Sequence, residues 1–340
     1  MVSWLDKKIR RVAVLMSTYN GEKYIDDQIR SIAGQVVSQD VQVRLYVHDD
    51  GSTDHTLNML KALKLEFQEL ITIITEPSKN VGVKASFFSL IKSPSITADY
   101  YFLSDQDDIW EKHKISDFLE LFSEMSKDKP CGVYSDLWIA DKNANSTGEK
   151  MSQIAHWKKG IIDFKFLSFD YRVVGCAFAI NNAARLEFKN SVSLDLINSV
   201  NMHDSFLALL ISATGELHLL DKPTVYYRQH EGNVIGALKK RETITQKINK
   251  AIAVPGQLIH DDVCIGDLVE KNHIKTNDGV ESIISIYRKY YDANGFTERL
   301  RAAVRVYPLM HHRRRWLHFI LMIFIHTNEY TTQPWIGTNR

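Results

Sequence analysis

The sequence predicts an α/β protein with a mostly parallel central sheet flanked by helices. Short apolar segments alternate with helical patterns through the first 136 residues. This alternation is typical of βαβ units with right-handed crossovers. The apolar segments are nearly uninterrupted, as a sheet covered on both faces requires. Acidic residues directly follow two of them, a pattern that favours a ligand site at the carboxyl ends of parallel strands.

The elements follow from these patterns in chain order. Five strands are expected in the first half, at residues 12–16, 43–47, 71–75, 100–103 and 132–135. Helices are expected between them, near residues 23–34, 54–66, 82–92 and 112–126. The second half predicts a polar loop or lid at 141–160, strands at 173–180 and 218–227, a helix at about 203–213 and further helices from Arg241 onward.

Composition limits the class of protein. With 44% hydrophobic and 24% charged residues, the 340-residue chain can bury a core. A net charge of +1 argues against a nucleic-acid binder held by bulk electrostatics. The cysteines fit no zinc or disulfide spacing and predict buried thiols in a reducing compartment. We expect no signal peptide, and the apolar run 316–325 is shorter than the about 20 residues that span a bilayer.

The segment after the fourth strand is rich in carboxylates. Tyr100–Leu103 is followed by Asp105, Asp107 and Asp108. Carboxylates this close repel one another unless a cation lies among them, and oxygen ligands suit Mg²⁺ or Mn²⁺. The segment therefore predicts a metal-bridged diphosphate site. The alternative is an acidic turn that caps the helix starting near Glu111.

Two other strand ends carry polar residues. Ser17-Thr18-Tyr19-Asn20-Gly21-Glu22 follows the first strand and offers backbone N–H groups to an anion or nucleotide. It contains neither a dinucleotide-binding nor a P-loop glycine pattern, and an ordinary capped turn is the alternative. His48-Asp49-Asp50-Gly51 follows the second strand, where an acid can accept hydrogen bonds from a base or ribose.

The second half adds two candidate segments. Asp204 lies at the start of an apolar helix, where an acid is usually a cap but can also serve as a general base. Arg228 and His230 end another strand and are candidates to contact a diphosphate or a metal. A lone histidine in such a position is more often structural.

Taken in order, these segments resemble the family 2 glycosyltransferases of the GT-A fold over about residues 10–235. The matching pieces are Met16-Ser-Thr-Tyr-Asn-Gly21, Asp49-Asp-Gly-Ser-Thr-Asp54, Asn80-Val-Gly82, Ser104-Asp-Gln-Asp-Asp-Ile-Trp110, Gly175-Cys176, His203-Asp204 and Tyr227-Arg-Gln-His230. The form of the segment 104–110 is similar to the rhamnosyltransferase-like branch, which builds bacterial surface polysaccharides.

The resemblance implies roles on the donor side. Ser17 and Tyr19, with Asn20 beside them, match positions near the nucleotide base and ribose, and Asp50 matches the acid that reads the base. Asp105 and Asp107 fill the DXD pattern, in which the last Asp holds the metal and the first lies by the ribose.

On the acceptor side, the resemblance implies that Asp204 is the general base, although His203 stands where many members have Glu or Gly. His230 is a further candidate metal ligand, with Asp105 and Asp107, and Arg228 a candidate donor contact. The Tyr-Arg-Gln-His element departs from the Gln-x-x-Arg-Trp motif of processive synthases, which favours transfer of a single sugar.

The expected activity is therefore inverting transfer from a nucleoside-diphosphate sugar with Mn²⁺ or Mg²⁺. The branch favours dTDP-rhamnose, with UDP-sugars next, and a saccharide or polyprenyl-diphosphate-linked acceptor. One alternative is a sugar-nucleotide pyrophosphorylase or nucleotidyltransferase, which should carry a Gly-rich basic loop that 17–22 lacks. Another is an inactive relative that binds nucleotide-sugar.

The expected domains are a catalytic domain at 1–235, with a donor half at about 10–136 and an acceptor half at 137–235, and a helical extension at 236–340. In the extension, the basic segment 311–315 precedes the apolar segment 316–325. This predicts either an anchor on an anionic membrane surface or a buried helix that packs on the catalytic domain or on a second subunit. The expected location is the cytoplasmic face of a bacterial plasma membrane.

Overall fold

The computed structural model describes residues 9–74, 79–155, 157, 162–169, 172–230, 244–310 and 315–325. The chain forms two compact units that interleave along the sequence. The first unit comprises residues 1–157, 173–190 and 218–230, and the second comprises 158–172, 191–217 and 231–340. The expected boundary at residue 235 assigns residues 158–172 and 191–217 to the catalytic domain, whereas both stretches lie in the second unit. As a boundary between domains that fold separately, residue 235 stays a prediction.

The first unit is built on one mixed sheet. Its strands are β1 (Arg10–Thr18), β2 (Val41–Asp49), β3 (Ile71–Ile74), β4 (Tyr100–Ser104), β5 (Ile109–Trp110), β6 (Cys131–Ala140), β7 (Ser146–Lys150), β8 (Phe178–Asn181) and β9 (Glu216–Arg228). Their order is β3-β2-β1-β4-β8-β6-β9-β5, and β7 pairs with β6. The α/β class is confirmed. Strand β1 pairs in parallel with β2 and with β4, and β2 pairs in parallel with β3. The antiparallel pairs are β4 with β8, β8 with β6, β6 with β7, and β5 with β9.

The described residues also form α-helices in both units. In chain order they are α1 (Ile25–Ala33), α2 (Thr56–Glu66), α3 (Val83–Lys92), α4 (Lys114–Ser123), α5 (Met151–Ile154), α6 (Phe164–Leu167), α7 (Asn182–Ser191), α8 (Leu194–Ser199), α9 (His203–Thr214), α10 (Ile244–Lys271), α11 (Val280–Tyr291), α12 (Phe296–Val306) and α13 (Arg315–Phe324).

Three stretches differ from the sequence expectations. The expected strand at 173–180 begins as a 3₁₀ turn, Gly175–Ala177, and becomes a strand only at Phe178. The expected polar loop contains β7 and α5, because alternate polar residues can form an exposed hairpin strand. Strand β5 was not expected, because a strand of two residues has no period of its own.

The apolar patterning accounts for the core of the first unit. All five residues of β4 and the stretch Val12–Met16 of β1 are buried. Helix α1 buries Ile25, Ile29 and Ile32, which share one face at helical spacing. Asp26 and Asp27 lie in its first turn, where the helix dipole favours negative charge.

Strand register places the candidate segments at one edge of the sheet. Thr18 of β1 is level with Asp49 of β2, and Met16 is level with Ser104 of β4. The loops that follow these three parallel strands therefore leave the sheet at the same edge, as the sequence predicted.

The described C-terminal residues 244–310 and 315–325 of the second unit contain helices α10 to α13, which confirms the expected helical character of the C-terminal region. Its core includes Leu258 and Ile259 of α10, Tyr287 and Tyr290 of α11, and Met322 of α13. The Tyr290 hydroxyl donates a hydrogen bond to the Met322 carbonyl at 3.1 Å. Among the described residues, no helix combines the length and apolar character needed to cross a membrane.

Candidate active site

A short antiparallel pairing sets the position of the acidic loop after β4. Ile109 and Trp110 of β5 pair with Tyr226 and Val225 of β9. Continued by two residues, the same register brings Asp107 level with Arg228. The Arg228 backbone N–H donates to Asp108 Oδ1 at 3.1 Å, and its Nε donates to the Asp107 carbonyl at 2.7 Å. We call residues 104–110 the Asp loop.

The Arg228 side chain is occupied in holding this loop. It is 3% exposed. Nη1 donates to the Lys142 carbonyl at 3.1 Å, and Nη2 donates to Asp27 Oδ2 at 3.1 Å. The guanidinium also lies 4.7 Å from the centre of the Tyr24 ring. These contacts join the Asp loop to α1 and to the turn after β6.

Asp107 and His230 form the candidate metal pair. His230 Nε2 lies 2.8 Å from Asp107 Oδ2, and the side chains are 15% and 16% exposed. The imidazole stacks on Tyr24 at 4.6 Å, which fixes the plane of the ring. Neighbouring ligands of an octahedral ion at 2.0–2.1 Å lie about 3 Å apart, so this spacing fits a shared ion. A nitrogen ligand suits a transition-metal ion better than it suits Mg²⁺, which prefers oxygen ligands.

The side chains of three further residues form a second group of potential metal ligands. Atoms of Asp105, Asp108 and Cys176 lie within 4.8 Å of one another. Burial, followed by the nearby Asp108 and Asp105, raises the pKa of the Cys176 thiol well above its ordinary value. A protonated thiol is a poor ligand, and Asp108 and Cys176 are fully buried. This group therefore fits a catalytic ion, which also binds water and phosphate, less well than Asp107 and His230 do.

The interior below the Asp loop contains a buried acid and a buried amine. Burial and then the Asp107 carboxylate raise the pKa of Asp108 to about 7. Burial lowers the pKa of Lys114 to about 7. The Lys114 ammonium donates to the Cys176 carbonyl and lies 3.8 Å from the Trp110 ring centre. Both groups titrate near neutrality because neither charge is solvated.

Gln106 connects the Asp loop to the loop after β1. Its Oε1 accepts from the Thr18 hydroxyl at 2.5 Å and from the Tyr19 N–H at 2.9 Å. Its Nε2 donates to the Tyr19 carbonyl at 3.0 Å. A Cβ on Gly21 would lie 2.2 Å from Gln106 Oε1, so this contact requires glycine. We call these contacts the Gln106 clamp.

The loop after β2 is tied to its neighbours in the same way. Asn20 has φ 49°, its N–H donates to Ser52 Oγ at 2.9 Å, and its Oδ1 accepts from Thr53 N–H at 2.8 Å. The Asp50 carboxylate accepts from the N–H groups of Val81 and Gly82 at 2.7 and 2.8 Å. Three loops at the sheet edge are thus fixed by side chain to backbone hydrogen bonds.

The sequence comparisons identify the family. Residues 13–184 match the sequence model of Glycosyl transferase family 2. The dTDP-rhamnosyl transferase RfbG of Shigella flexneri is 32% identical over 235 residues, which cover 65% of this chain and 74% of RfbG. The chain belongs to glycosyltransferase family 2.

Solved structures support the fold of this family 2 glycosyltransferase. Staphylococcus aureus TarS in complex with UDP superposes with a TM-score of 0.52 at 15% identity and covers 95% of this chain and 90% of TarS 1–349. The mannosyltransferase PcManGT of Pyrobaculum calidifontis, solved with GDP-Man and Mn²⁺, has a TM-score of 0.52 at 14% identity, covering 95% and 88%. The expected GT-A fold is confirmed.

The structure brings most of the predicted donor-site residues of this glycosyltransferase together. Asp105, Asp107 and His230 lie at or beside the Asp loop, and Tyr19 is joined to it by the Gln106 clamp. Ser17 lies in β1 opposite His48 and is half-buried. The acids of the loop do not cap the next helix, because α4 begins at Lys114 after His113.

Asp204 lies in the second unit. It is in the first turn of α9, is 8% exposed, and its Oδ1 accepts from the Ser205 N–H at 2.7 Å. Among the described residues, the N-cap residue Met202 makes no side-chain hydrogen bond that caps this helix. The base role of Asp204 stays a prediction.

The structure adds a structural role to two predicted donor contacts. The buried guanidinium of Arg228 binds protein acceptors, which supports a role in positioning the Asp loop. Asp50 is 2% exposed, and its carboxylate accepts two backbone N–H groups at the start of α3, which supports a role in shaping the loop. The contacts of Arg228 with the donor and of Asp50 with the base stay predictions.

Sequence reasoning missed Gln106, Tyr24 and Lys114. Gln106 lies inside the acidic motif, where a neutral amide among carboxylates was the available signal. Tyr24 supports both Arg228 and His230, and nothing in the sequence joins residues separated by more than 200 positions. Lys114 is at the start of a helix, where a lysine is normally solvated.

The Gln106 clamp predicts a specific coupling. We expect Gln106→Ala to lower the free energy of unfolding by about 1–3 kcal/mol, since it leaves polar groups of Thr18 and Tyr19 unpaired. Gly21→Ala should cost a similar amount, because its Cβ would displace the amide. The double variant should be no less stable than Gln106→Ala. Urea unfolding measures all three, and additive losses would contradict the clamp.

The buried Asp108 predicts a pH dependence. Its pKa is about 7 in the folded protein against an ordinary 3.8. From about pH 4 to 7 the folded state retains a proton that the unfolded state has released, so stability falls as pH rises, by at most about 1.4 kcal/mol per pH unit. Asp108→Asn should remove this decline, so its stability relative to wild type should rise through that range and then level off.

A matched control for this measurement is Asp141→Asn. A hydrogen bond from the Asn145 backbone N–H is the main cause that lowers the pKa of the half-buried Asp141. Its stabilising effect is complete above its unfolded pKa and is lost only in acid. Urea unfolding of this variant should show a constant difference from wild type above about pH 5. A constant difference for Asp108→Asn as well would contradict the prediction.

Proposed function

We propose that this family 2 glycosyltransferase transfers a single sugar from a nucleoside-diphosphate donor, dTDP-rhamnose ahead of UDP-sugars, to a saccharide acceptor with inversion at the anomeric carbon. The observation that carries the proposal is the Asp107–His230 pair beside Asp105, at the edge of the sheet where three loops meet. The identity to a dTDP-rhamnosyl transferase supports the choice of donor.

Asp107 and His230 would hold a divalent cation, Mn²⁺ ahead of Mg²⁺, with Asp105 of the same loop as a further ligand. When bound, such a cation neutralises the negative charge that develops on the departing diphosphate. Two neighbouring side chains keep these ligands in place. Arg228 donates a hydrogen bond to the Asp107 carbonyl, and the Tyr24 ring stacks on His230. The ligands are therefore preorganised before the donor binds.

Tyr19 and Asn20 bind the nucleoside in this proposal. The Tyr19 side chain is 46% exposed and offers an aromatic face to a base. Ser17 and the Asn20 loop lie next to it along the same edge. The Gln106 clamp fixes the loop after β1 at a constant distance from the metal ligands of the Asp loop. The base and the diphosphate of the donor therefore bind to parts of the protein that do not move relative to each other.

Asp204 acts as the general base in this proposal. It removes the proton of the acceptor hydroxyl as the oxygen attacks the anomeric carbon, and a single displacement inverts that centre. Proton transfer by a positioned carboxylate typically contributes on the order of 10²–10⁴ in rate. The Tyr227-Arg-Gln-His230 element supports one transfer per encounter, and a polyprenyl-diphosphate-linked saccharide at the cytoplasmic membrane face is the proposed acceptor.

Donor binding tests the metal pair. We expect dTDP-rhamnose to raise the thermal midpoint with Mn²⁺ and to raise it much less with EDTA, because ligand affinity adds to the stability of the folded state. Asp107→Asn and His230→Ala should each abolish the Mn²⁺-dependent part. Glu124→Gln, which alters an exposed acid at the end of α4, is the control. A shift that survives both site variants would contradict the assignment.

The base role is tested separately. Asp204→Asn should lower kcat by about 10²–10⁴ while the Kd for donor and Mn²⁺ stays unchanged. Rates come from dTDP release with a soluble acceptor mimic, and calorimetry measures donor binding. NMR of the product should show the inverted anomer. Loss of donor binding in Asp204→Asn, or retention of the anomeric configuration, would overturn this part of the proposal.

A further inference from the structure

Helix α13 exposes an apolar face. The stretch Trp316–Ile325 contains no Asp, Glu, Lys or Arg. One side of the helix packs into the second unit, where His318, Met322 and Ile323 are buried. The opposite side, at a spacing of four residues, exposes 57% of Trp316, 41% of Ile320 and 67% of Phe324. A helix that only completed a core would carry polar residues on that side.

The neighbouring helix α12 enlarges this surface. Phe296 is 49% exposed and its ring lies 5.7 Å from that of Phe324, while Val304 is 54% exposed. These five residues, the α12–α13 face, are five of the eleven large hydrophobic side chains that are exposed among the described residues. Such a concentration on one helix pair indicates a surface that is covered in function.

The charges around the face indicate what covers it. Residues 296–325, which run from the start of α12 to the residue after α13, contain six arginines and one acid, Glu298, although the whole chain has a net charge of only +1. Arg301 and Arg305 are exposed on α12. A two-fold pairing of this face between two copies would bring both sets of arginines together, and like charges repel. An anionic surface is complementary to both the arginines and the apolar side chains.

We propose that the α12–α13 face lies in the headgroup region of an anionic lipid bilayer. Trp316, Ile320 and Phe324 enter the boundary between headgroups and acyl chains, while Arg301 and Arg305 bind lipid phosphates. Interfacial helices combine apolar insertion with attraction to anionic lipids in this way. This inference rests on the second unit alone and is independent of the proposed sugar donor and general base.

The test is cosedimentation of the full chain with vesicles. We expect binding to phosphatidylcholine vesicles with about 30% phosphatidylglycerol, little binding to phosphatidylcholine alone, and weakening as salt shortens the electrostatic range. Ile320→Glu with Phe324→Glu should reduce binding at least about tenfold, since two apolar side chains no longer insert. Leu186→Glu with Leu194→Glu, which alters residues 42% and 45% exposed on other helices, is the matched control.

A second pair of variants separates insertion from adsorption. Arg301→Gln with Arg305→Gln should weaken binding roughly fivefold per arginine and reduce its salt dependence. Circular dichroism verifies that every variant folds. The proposal is overturned if wild type does not bind anionic vesicles, or if the Ile320 and Phe324 variant binds as wild type does. It is also overturned if sedimentation shows a dimer that this variant dissociates, because the face would then join two copies.

Discussion

The pairing of two residues of β5 with two residues of β9 is the constraint on which the candidate site depends. Ile109 and Trp110 meet Tyr226 and Val225, and the register carries Arg228 and His230 to the Asp loop. Backbone hydrogen bonds alone would hold so short a strand weakly. Arg228 strengthens the junction by donating from both main chain and side chain to the loop. The spacing of Asp107 and His230 is therefore a result of strand register.

The interior beneath the loop contributes to the same arrangement at an energetic cost. Asp108 and Lys114 are fully buried. Burial raises the pKa of Asp108 and lowers the pKa of Lys114, so the neutral form of each side chain is favoured. Asp108 Oδ1 accepts a hydrogen bond from the Arg228 N–H, and the Cys176 side chain is a further hydrogen-bond partner of the carboxyl group, but a thiol is a weak donor. Buried polar groups with incomplete hydrogen bonding lower the free energy of unfolding. Such groups next to a functional loop therefore reduce the stability of the fold locally.

Sequence patterns predicted the strand ends well because two local signals agreed there. The runs before Ser17, His48 and Asp105 are apolar, and the residues after them are polar and favour turns. The sequence could not reveal pairs that are distant along the chain, such as Tyr24 with His230. The structural roles of Asp50 and Arg228 were not predicted, for a related reason. A charged residue at a strand end looks the same whether its partner is a ligand or the backbone of another loop.

The C-terminal segment shows a different limit of sequence patterns. Its apolar and basic residues predicted equally a buried helix and a surface anchor, because composition does not say which side of a helix packs. The structure gives α13 both properties, since Met322 is buried and Phe324 is exposed on the same helix. The basic residues 311–314, on which part of the expectation rested, lie outside the described residues.

The interleaving of the two units has a consequence for protein engineering. The family match ends at residue 184, whereas the strand that supplies His230 runs to Arg228. A fragment cut at the end of the match would keep every acid of the DXD pattern and lose the histidine beside Asp107. Chimaeras that exchange donor preference between relatives should therefore be assembled from three separate stretches of sequence, with crossover points chosen at the joints of the first unit.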